Sequence, residues 1–295
     1  MKILITGAGG QFGTELMLTA ASMPGVEAVG FTRGQLDVTD LGQTERTVRK
    51  EKPDVVIHAA AYTAVDRAEQ DEENAYRVNA HGTRHVAAAA EAVGAKMCFI
   101  STDYVFDGKK RRPYREDDPT NPLNVYGKSK QAGEKAVQQE TEKFFIVRTS
   151  WLYGLHGNNF VKTMLALADA GKPLKVVHDQ TGSPTYAKDL ARFILELVRT
   201  DKYGIYHASN TGSCTWYEFA KTIFRYSGIQ AEVLPCTTEQ YPRPAQRPEY
   251  SVMDHMSILA NGFQDFRPWQ DALRDFLGEM RGMRDEQRER PYRDL

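Results

Sequence analysis

The chain has 295 residues, 41% hydrophobic and 26% charged, enough to bury the core of one large α/β unit or two closely associated ones. With 38 Lys and Arg against 39 Asp and Glu, the formal charge of −1 offers no electrostatic basis for nucleic acid or an anionic membrane as a partner. The three cysteines (Cys98, Cys214 and Cys236) form no CxxC pair or metal-ligand cluster, which predicts reduced, buried thiols.

No apolar run approaches the roughly 20 residues that span a bilayer, and the first one stops at Gly7, unlike a signal peptide. The expectation is a soluble cytoplasmic protein. In chain order, Ile3 to Thr6 reads as a buried strand, Gln11 to Ala21 as a helix and Val26 to Phe31 as a second strand. A helix over Leu41 to Glu51 ends before Pro53. A strand at Val55 to His58, a long alanine-rich helix over Asn74 to Val93 and a strand at Lys96 to Ile100 follow. Ser129 to Gln139 reads as a helix, Phe144 to Val147 as a strand, Lys175 to Val177 as a further strand and Tyr186 to Val198 as an amphipathic helix. Strands alternating with helices at this spacing predict a Rossmann-type, doubly wound parallel sheet.

Beyond residue 150 the pattern loosens into a strand at Gly204 to His207, a helix over Trp216 to Tyr226 and a proline-rich loop from Pro235 to Pro248. We read residues 1–150 as the NAD(P)-binding Rossmann domain, with 172–200 returning to it. Residues 151–171 and 201–280 read as a smaller mixed α/β substrate domain. The charged stretch 281–295 reads as a frayed surface tail.

Chemistry enters at the first turn. Gly7, Gly10 and Gly13 lie between the first strand and first helix, where a dinucleotide pyrophosphate approaches backbone N–H groups at a helix N-terminus. Gly7 permits the tight turn, Gly10 leaves the phosphate unobstructed and Gly13 lets the helix pack close to the strand. The spacing, G-x-x-G-x-x-G, is one residue wider than the usual fingerprint. Where an acidic residue would grip the ribose 2′-hydroxyl, the second strand ends in Thr32-Arg33. Arg33 can face a 2′-phosphate, which leans towards NADPH over NADH. Asp37 and Val38 lie within reach of the adenine, although Asp37 also suits a helix N-cap. After the third strand, Ala60, Ala61, Tyr62 and Thr63 can line the nicotinamide side of the crevice.

Two further elements follow in the order such a sheet requires. Tyr126 and Lys130, four residues apart at the start of a helix, share a face. A lysine beside the phenol lowers its pKa towards neutrality and can hold the nicotinamide ribose. Thr102, directly after the fourth strand, can donate to a substrate carbonyl as negative charge develops on oxygen, with Ser101 as the alternative donor.

These features resemble the extended short-chain dehydrogenase/reductase superfamily. Within it, Gly10 to Gly13, Ala60 to Asp66, Ser101 to Gly108, Tyr126 to Lys130, Arg148 to Gly154 and Gln246 to Pro248 are similar to the dTDP-4-dehydrorhamnose reductase family. The resemblance implies Thr102, Tyr126 and Lys130 as the catalytic group. It also implies Gly10, Gln11, Phe12, Asp37, Val38, Ala61, Tyr62, Thr63 and Ile100 near NADPH or NADH, and substrate contacts at Thr102, Asp103 and Trp151. The implied partner is a dTDP-linked ketosugar, whose 4-keto group would be reduced to give dTDP-L-rhamnose for cell-surface polysaccharide. Gly9 and Phe12 depart from the family's usual Asn and smaller aliphatic residue, both tolerable in a backbone-lined site. Some members dimerise through Mg2+ held by carboxylates; Glu15 matches the first of these and no others could be matched.

A nucleotide-sugar needs aromatic faces and cations, which Trp151, Trp216, Tyr241, Arg243 and Arg247 offer, Trp151 and Arg247 being favoured. Two alternatives remain open. One is another nucleotide-sugar reductase or epimerase of the superfamily, although a dehydratase would pair Asp103 with a second acid. The other is a non-catalytic nucleotide-binding regulatory subunit, which would usually lack the tyrosine or lysine.

Overall fold

The structure is a computed structural model, describing residues 1–168, 171 and 173–289. Six strands form one wholly parallel sheet: β1 (Lys2–Thr6), β2 (Glu27–Phe31), β3 (Val55–His58), β4 (Lys96–Thr102), β5 (Phe144–Thr149) and β10 (Gly204–His207). Their order across the sheet is β10-β5-β4-β3-β1-β2. The chain winds outward from β1 to β2, then returns to lay β3 on the other side of β1. That reversal creates the crevice at the carboxyl ends of the strands where ligands of open α/β sheets bind.

The alternation of side chains along each strand sorts the core into two layers. Ile3, Ile5, Val55 and Ile57 face α1 (Gln11–Ala21) and α8 (Ala187–Leu197). Leu4, Val56, Met97 and Phe99 face the other way, onto α2 (Leu41–Glu51) and α5 (Thr83–Ala92). Between β3 and β4 the chain also forms the short helices α3 (Val65–Ala68) and α4 (Glu72–Tyr76) and a π turn at Arg77–Gly82 that runs into α5. The single helix expected over Asn74 to Val93 is thus interrupted. The extra residue in that turn aims Asn79 inward, where its amide bonds the backbone N–H (2.8 Å) and carbonyl (3.0 Å) of Tyr62.

Helix α6 spans Val125–Glu140, four residues longer at its start than the periodicity predicts. Asn124 supplies the reason: its side chain accepts from the Gly127 N–H at 2.8 Å, an N-cap that the apolar pattern does not reveal. Tyr126 therefore stands in the first turn.

The second, smaller core gathers β6 (Leu152–Tyr153), α7 (Phe160–Ala168), β7 (Leu174–Val177), β8 (Thr181–Gly182), β9 (Thr185–Tyr186), β11 (Cys214–Thr215), α9 (Trp216–Ser227) and β12 (Val233–Cys236). Helix α10 (Met256–Ala260) lies beside β10, and α11 (Trp269–Glu289) closes the second core with Trp269, Leu273 and Phe276.

Three placements correct the sequence reading. Gly204–His207, assigned there to the smaller unit, extends the large sheet beside β5. Leu174–Val177, assigned to the Rossmann unit, pairs with Val233–Cys236 instead. A short apolar run announces a strand but not its partner. The helix begun at Trp269 continues through Glu289, so the expected tail from Arg281 is helical at first, as its helix-forming Arg, Met, Glu and Gln allow. Residues 290–295 lie outside the described residues. All three cysteines are buried and free, and no described helix is long and apolar enough to cross a membrane.

Candidate active site

A cleft of about 860 Å3 runs along the carboxyl ends of β1 to β5. Gly7, Gly10, Gln11, Phe12, Gly13, Arg33, Asp37, Val38, Ala60, Ala61, Tyr62, Thr63, Ile100, Thr102, Asp103, Tyr126, Lys130 and Trp151 all line it. Of the singled-out positions, Glu15, Tyr241, Arg243 and Arg247 lie elsewhere.

The glycine turn is shaped by its neighbours. Gly7 has φ +70°, and a Cβ there would sit 2.6 Å from the Ala60 backbone nitrogen. A Cβ on Gly13 would come within 2.1 Å of the Gly7 carbonyl oxygen, so the first turn of α1 lies directly on the loop. At Gly10 the same test meets only that carbonyl, at 3.3 Å, leaving the helix N-terminus open towards the cleft. The Gln11 amide donates to the Leu152 carbonyl at 3.2 Å and accepts from Asn159 at 3.0 Å, tying the turn to the second core. Exposed Arg33 stands at the far end. The Asp37 carboxylate accepts from the Thr39 N–H (3.0 Å) and hydroxyl (2.8 Å), which hold it below its usual range; the cap of α2 is Asp40.

The opposite end carries the reactive side chains. Tyr126 packs edge-on to Tyr104 at 5.9 Å, and Gly127 permits this because a Cβ there would strike the Tyr104 carbonyl at 2.2 Å. Burial pushes the Tyr126 phenol up to about 12, opposed by the Thr102 hydroxyl beside it. This corrects the expectation that Lys130 draws the phenol towards neutrality. Lys130 instead donates to the Ile100 carbonyl at 2.6 Å and lies 4.0 Å from the Phe99 ring centre. Burial lowers Lys130 to about 7.

Thr102 and Ser101 part as neighbours in a strand must. The Thr102 hydroxyl stays at the cleft floor, donating to Asp103 Oδ1 at 3.1 Å, while Ser101 turns away to Glu134 at 2.6 Å. Ser101 is thereby removed as the alternative donor. Asp103 is 2% exposed, and although the Ser251 hydroxyl lies beside its carboxyl, Oδ2 makes no well-formed hydrogen bond. Burial raises its carboxyl to about 6.

Trp151 adopts φ +46°, a conformation rare for a large side chain, and stacks on Trp216 at 3.6 Å between centroids. Its indole occupies the place of a Cβ at Gly182, 2.6 Å away. Trp216 also belongs to a second cleft, of about 800 Å3, bounded by Lys175, Gln180, Tyr241, Arg243 and Arg247. Arg247 grips the Asp66 carboxylate with two nitrogens, at 2.9 and 3.1 Å, so its guanidinium is largely engaged.

Residues 1–281 match the family model described as the RmlD substrate binding domain. The chain belongs to that family. It is 44% identical over 278 residues to the spore coat polysaccharide biosynthesis protein SpsK of Bacillus subtilis, covering 94% of this chain and 97% of that protein. The dTDP-4-dehydrorhamnose reductase of Streptomyces griseus is also 44% identical, over 92% of this chain and 91% of its own length. A crystal structure of the dTDP-4-dehydrorhamnose reductase of Bacillus anthracis in complex with NADP superposes with a TM-score of 0.92 at 46% identity, covering 94% of this chain and 99% of that one.

The residues present fit a reduced nicotinamide dinucleotide: open backbone at a helix N-terminus, a cation at the ribose end and a buried lysine at the other. A magnesium centre fits less well. Among the described residues no three His, Cys, Asp or Glu side chains gather to hold a metal. Buried Glu15 faces Lys188, which is itself paired to Glu279 at 2.7 Å.

Sequence reasoning missed Asn79 and Glu134. Neither stands in a recognisable motif at the cleft; each acts through a buried hydrogen bond that only the folded chain reveals.

Proposed function

We propose that this chain reduces the 4-keto group of dTDP-4-dehydro-L-rhamnose to dTDP-L-rhamnose with NADPH. The observation that carries this reading is the convergence of Thr102, Tyr126 and Lys130 on one floor of the cleft, in a chain 44% identical to a named reductase of that ketosugar. Bound along the glycine turn, reduced nicotinamide supplies the hydride.

The chain's own residues do the rest. Tyr126, protonated at neutral pH, gives its phenolic proton to the carbonyl oxygen as that oxygen becomes an alkoxide. The Thr102 hydroxyl turns from Asp103 to the same oxygen and stabilises the developing charge. Charged Lys130 stabilises the phenolate left on Tyr126 and anchors the nicotinamide ribose. Asp103 Oδ2 accepts a sugar hydroxyl, and the Trp151 face covers the sugar ring. The second cleft, with Lys175 and Arg243, takes the deoxythymidine diphosphate. Arg33 favours the 2′-phosphate of NADPH over NADH. The product serves cell-surface polysaccharide, and we place the enzyme in the cytoplasm, where nucleotide-sugars are made.

The test is stoichiometry. One NADPH consumed per ketosugar supports reduction; turnover of the sugar without net loss of NADPH would assign an epimerase instead.

A further inference from the structure

Behind the cleft floor lies a buried cluster, Ser101, Glu134 and Arg148, that the reaction just described does not use. Helix α6 presents Tyr126, Lys130 and Glu134 at steps of four, one above the other on a single face. Strand β4 presents Ile100, Ser101 and Thr102 in succession. The two elements are tied at adjacent points: Lys130 Nζ donates to the Ile100 carbonyl at 2.6 Å, and the Ser101 hydroxyl donates to Glu134 Oε1 at 2.6 Å. Arg148, opposite Ser101 on β5, completes the arrangement with two bonds to the Glu134 carboxylate, at 2.9 and 2.7 Å. Ser101, Lys130, Glu134 and Arg148 are each 2–3% exposed.

We propose that Glu134 is a positioning residue for the proposed reduction: its carboxylate keeps Lys130 charged and, through Ser101, holds β4 where Ile100 and Thr102 meet Lys130 and Tyr126. The inference rests on the reading above. A buried lysine surrounded by the Phe99 ring and a single carbonyl is poorly solvated, and its charge survives only with a counter-charge close by. Glu134, one helical turn from Lys130 and held in place by Arg148, supplies that negative charge, opposing the burial that lowers Lys130 to about 7. The other ionisable groups around Lys130 cannot take its place. His58 on β3 is kept neutral by burial, Tyr126 remains protonated, and Arg148 is itself a cation. Arg77 and His81 of the π turn are exposed to solvent.

The experiment labels lysine with 13C at Cε and follows the Lys130 resonance, assigned by its loss in Lys130→Arg, through a pH titration. The wild-type resonance is expected to titrate near 7, and in Glu134→Gln about one unit lower. The alkaline limb of kcat/KM moves with it. Glu134→Asp keeps the negative charge but draws the carboxylate back, giving a smaller shift in the same direction; it decides the matter if the Gln variant does not fold. Ser101→Ala is expected to lower kcat about 3- to 10-fold with KM little changed and the Lys130 titration in place. An unmoved Lys130 titration in a folded Glu134 variant overturns the counter-charge role, and wild-type kcat in Ser101→Ala overturns the positioning through β4. Because the resonance is read without substrate, failure of the proposed reaction would appear separately, as a wild-type protein inert towards the ketosugar.

Discussion

Replacing Gly13 by alanine tests the cofactor turn most sharply. The new methyl carbon would lie 2.1 Å from the Gly7 carbonyl oxygen, 2.7 Å from Ala8 Cα and 2.8 Å from the Gly7 carbonyl carbon. All three are backbone atoms, so no rotamer can yield. Nor can the turn retreat, because Gly7 already sits where even its own Cβ would strike the Ala60 backbone at 2.6–2.7 Å. The helix must shift instead, carrying with it the N–H groups that would bind pyrophosphate. Overpacking of this kind costs about 1–3 kcal/mol, or roughly 2–6 °C in Tm for a chain of this size. Displacement of the anion site is expected to weaken NADPH binding at least tenfold, about 1.4 kcal/mol. Titration of the quenching of tryptophan fluorescence by NADPH reads the loss of binding, and calorimetry the loss of stability. Gly278→Ala is the control: it lies exposed in α11 with nothing within 4 Å of a built Cβ, and alanine there is expected to raise Tm slightly. A Gly13→Ala protein that binds NADPH like the wild type would refute the assignment of the turn.

Tyr126→Phe keeps the packing on Tyr104 but removes the proton donor; kcat is expected to fall about 10²- to 10⁴-fold with NADPH affinity retained, as steady-state rates and the same fluorescence titration would show. Thr102→Val is expected to cost about 10²- to 10³-fold in kcat, and a loss under tenfold would dismiss it as the carbonyl's hydrogen-bond donor. Asp66→Asn loosens the clamp on Arg247 that joins α3 to the second cleft, so KM for the ketosugar should rise more than kcat falls. His58 is buried between Thr6 and Thr83, and burial lowers it from 6.5 to about 3. The unfolded chain therefore binds a proton below pH 6.5 that the folded chain refuses, and stability falls as pH drops from 6.5 towards 3. Denaturation profiles in His58→Gln should lose part of that slope.

The parallel sheet was legible because its first strands are short apolar runs that alternate with periodic helices. The cofactor turn and the Tyr126 to Lys130 spacing were legible because they are local in sequence. What escaped was non-local. Nothing in Gly204–His207 says that it pairs with β5, or in Leu174–Val177 that it does not join the same sheet. The Tyr126 phenol rises because burial outweighs its neighbours, and the four-residue spacing could not reveal that Lys130 would bond the Ile100 carbonyl. Arg247 reads in sequence as a free cation beside prolines, yet its partner, Asp66, lies 181 residues away.

The floor formed by Thr102, Tyr126 and Lys130 is built to reduce a dTDP-linked ketosugar. The most direct test of that activity is NADPH oxidation by the purified chain with dTDP-4-dehydro-L-rhamnose, run beside UDP- and GDP-linked ketosugars. We expect stoichiometric oxidation with the dTDP sugar, dTDP-L-rhamnose as the product, and loss of that turnover in Tyr126→Phe. No oxidation with the dTDP sugar, or turnover of a UDP or GDP sugar in its place, would rule out this activity.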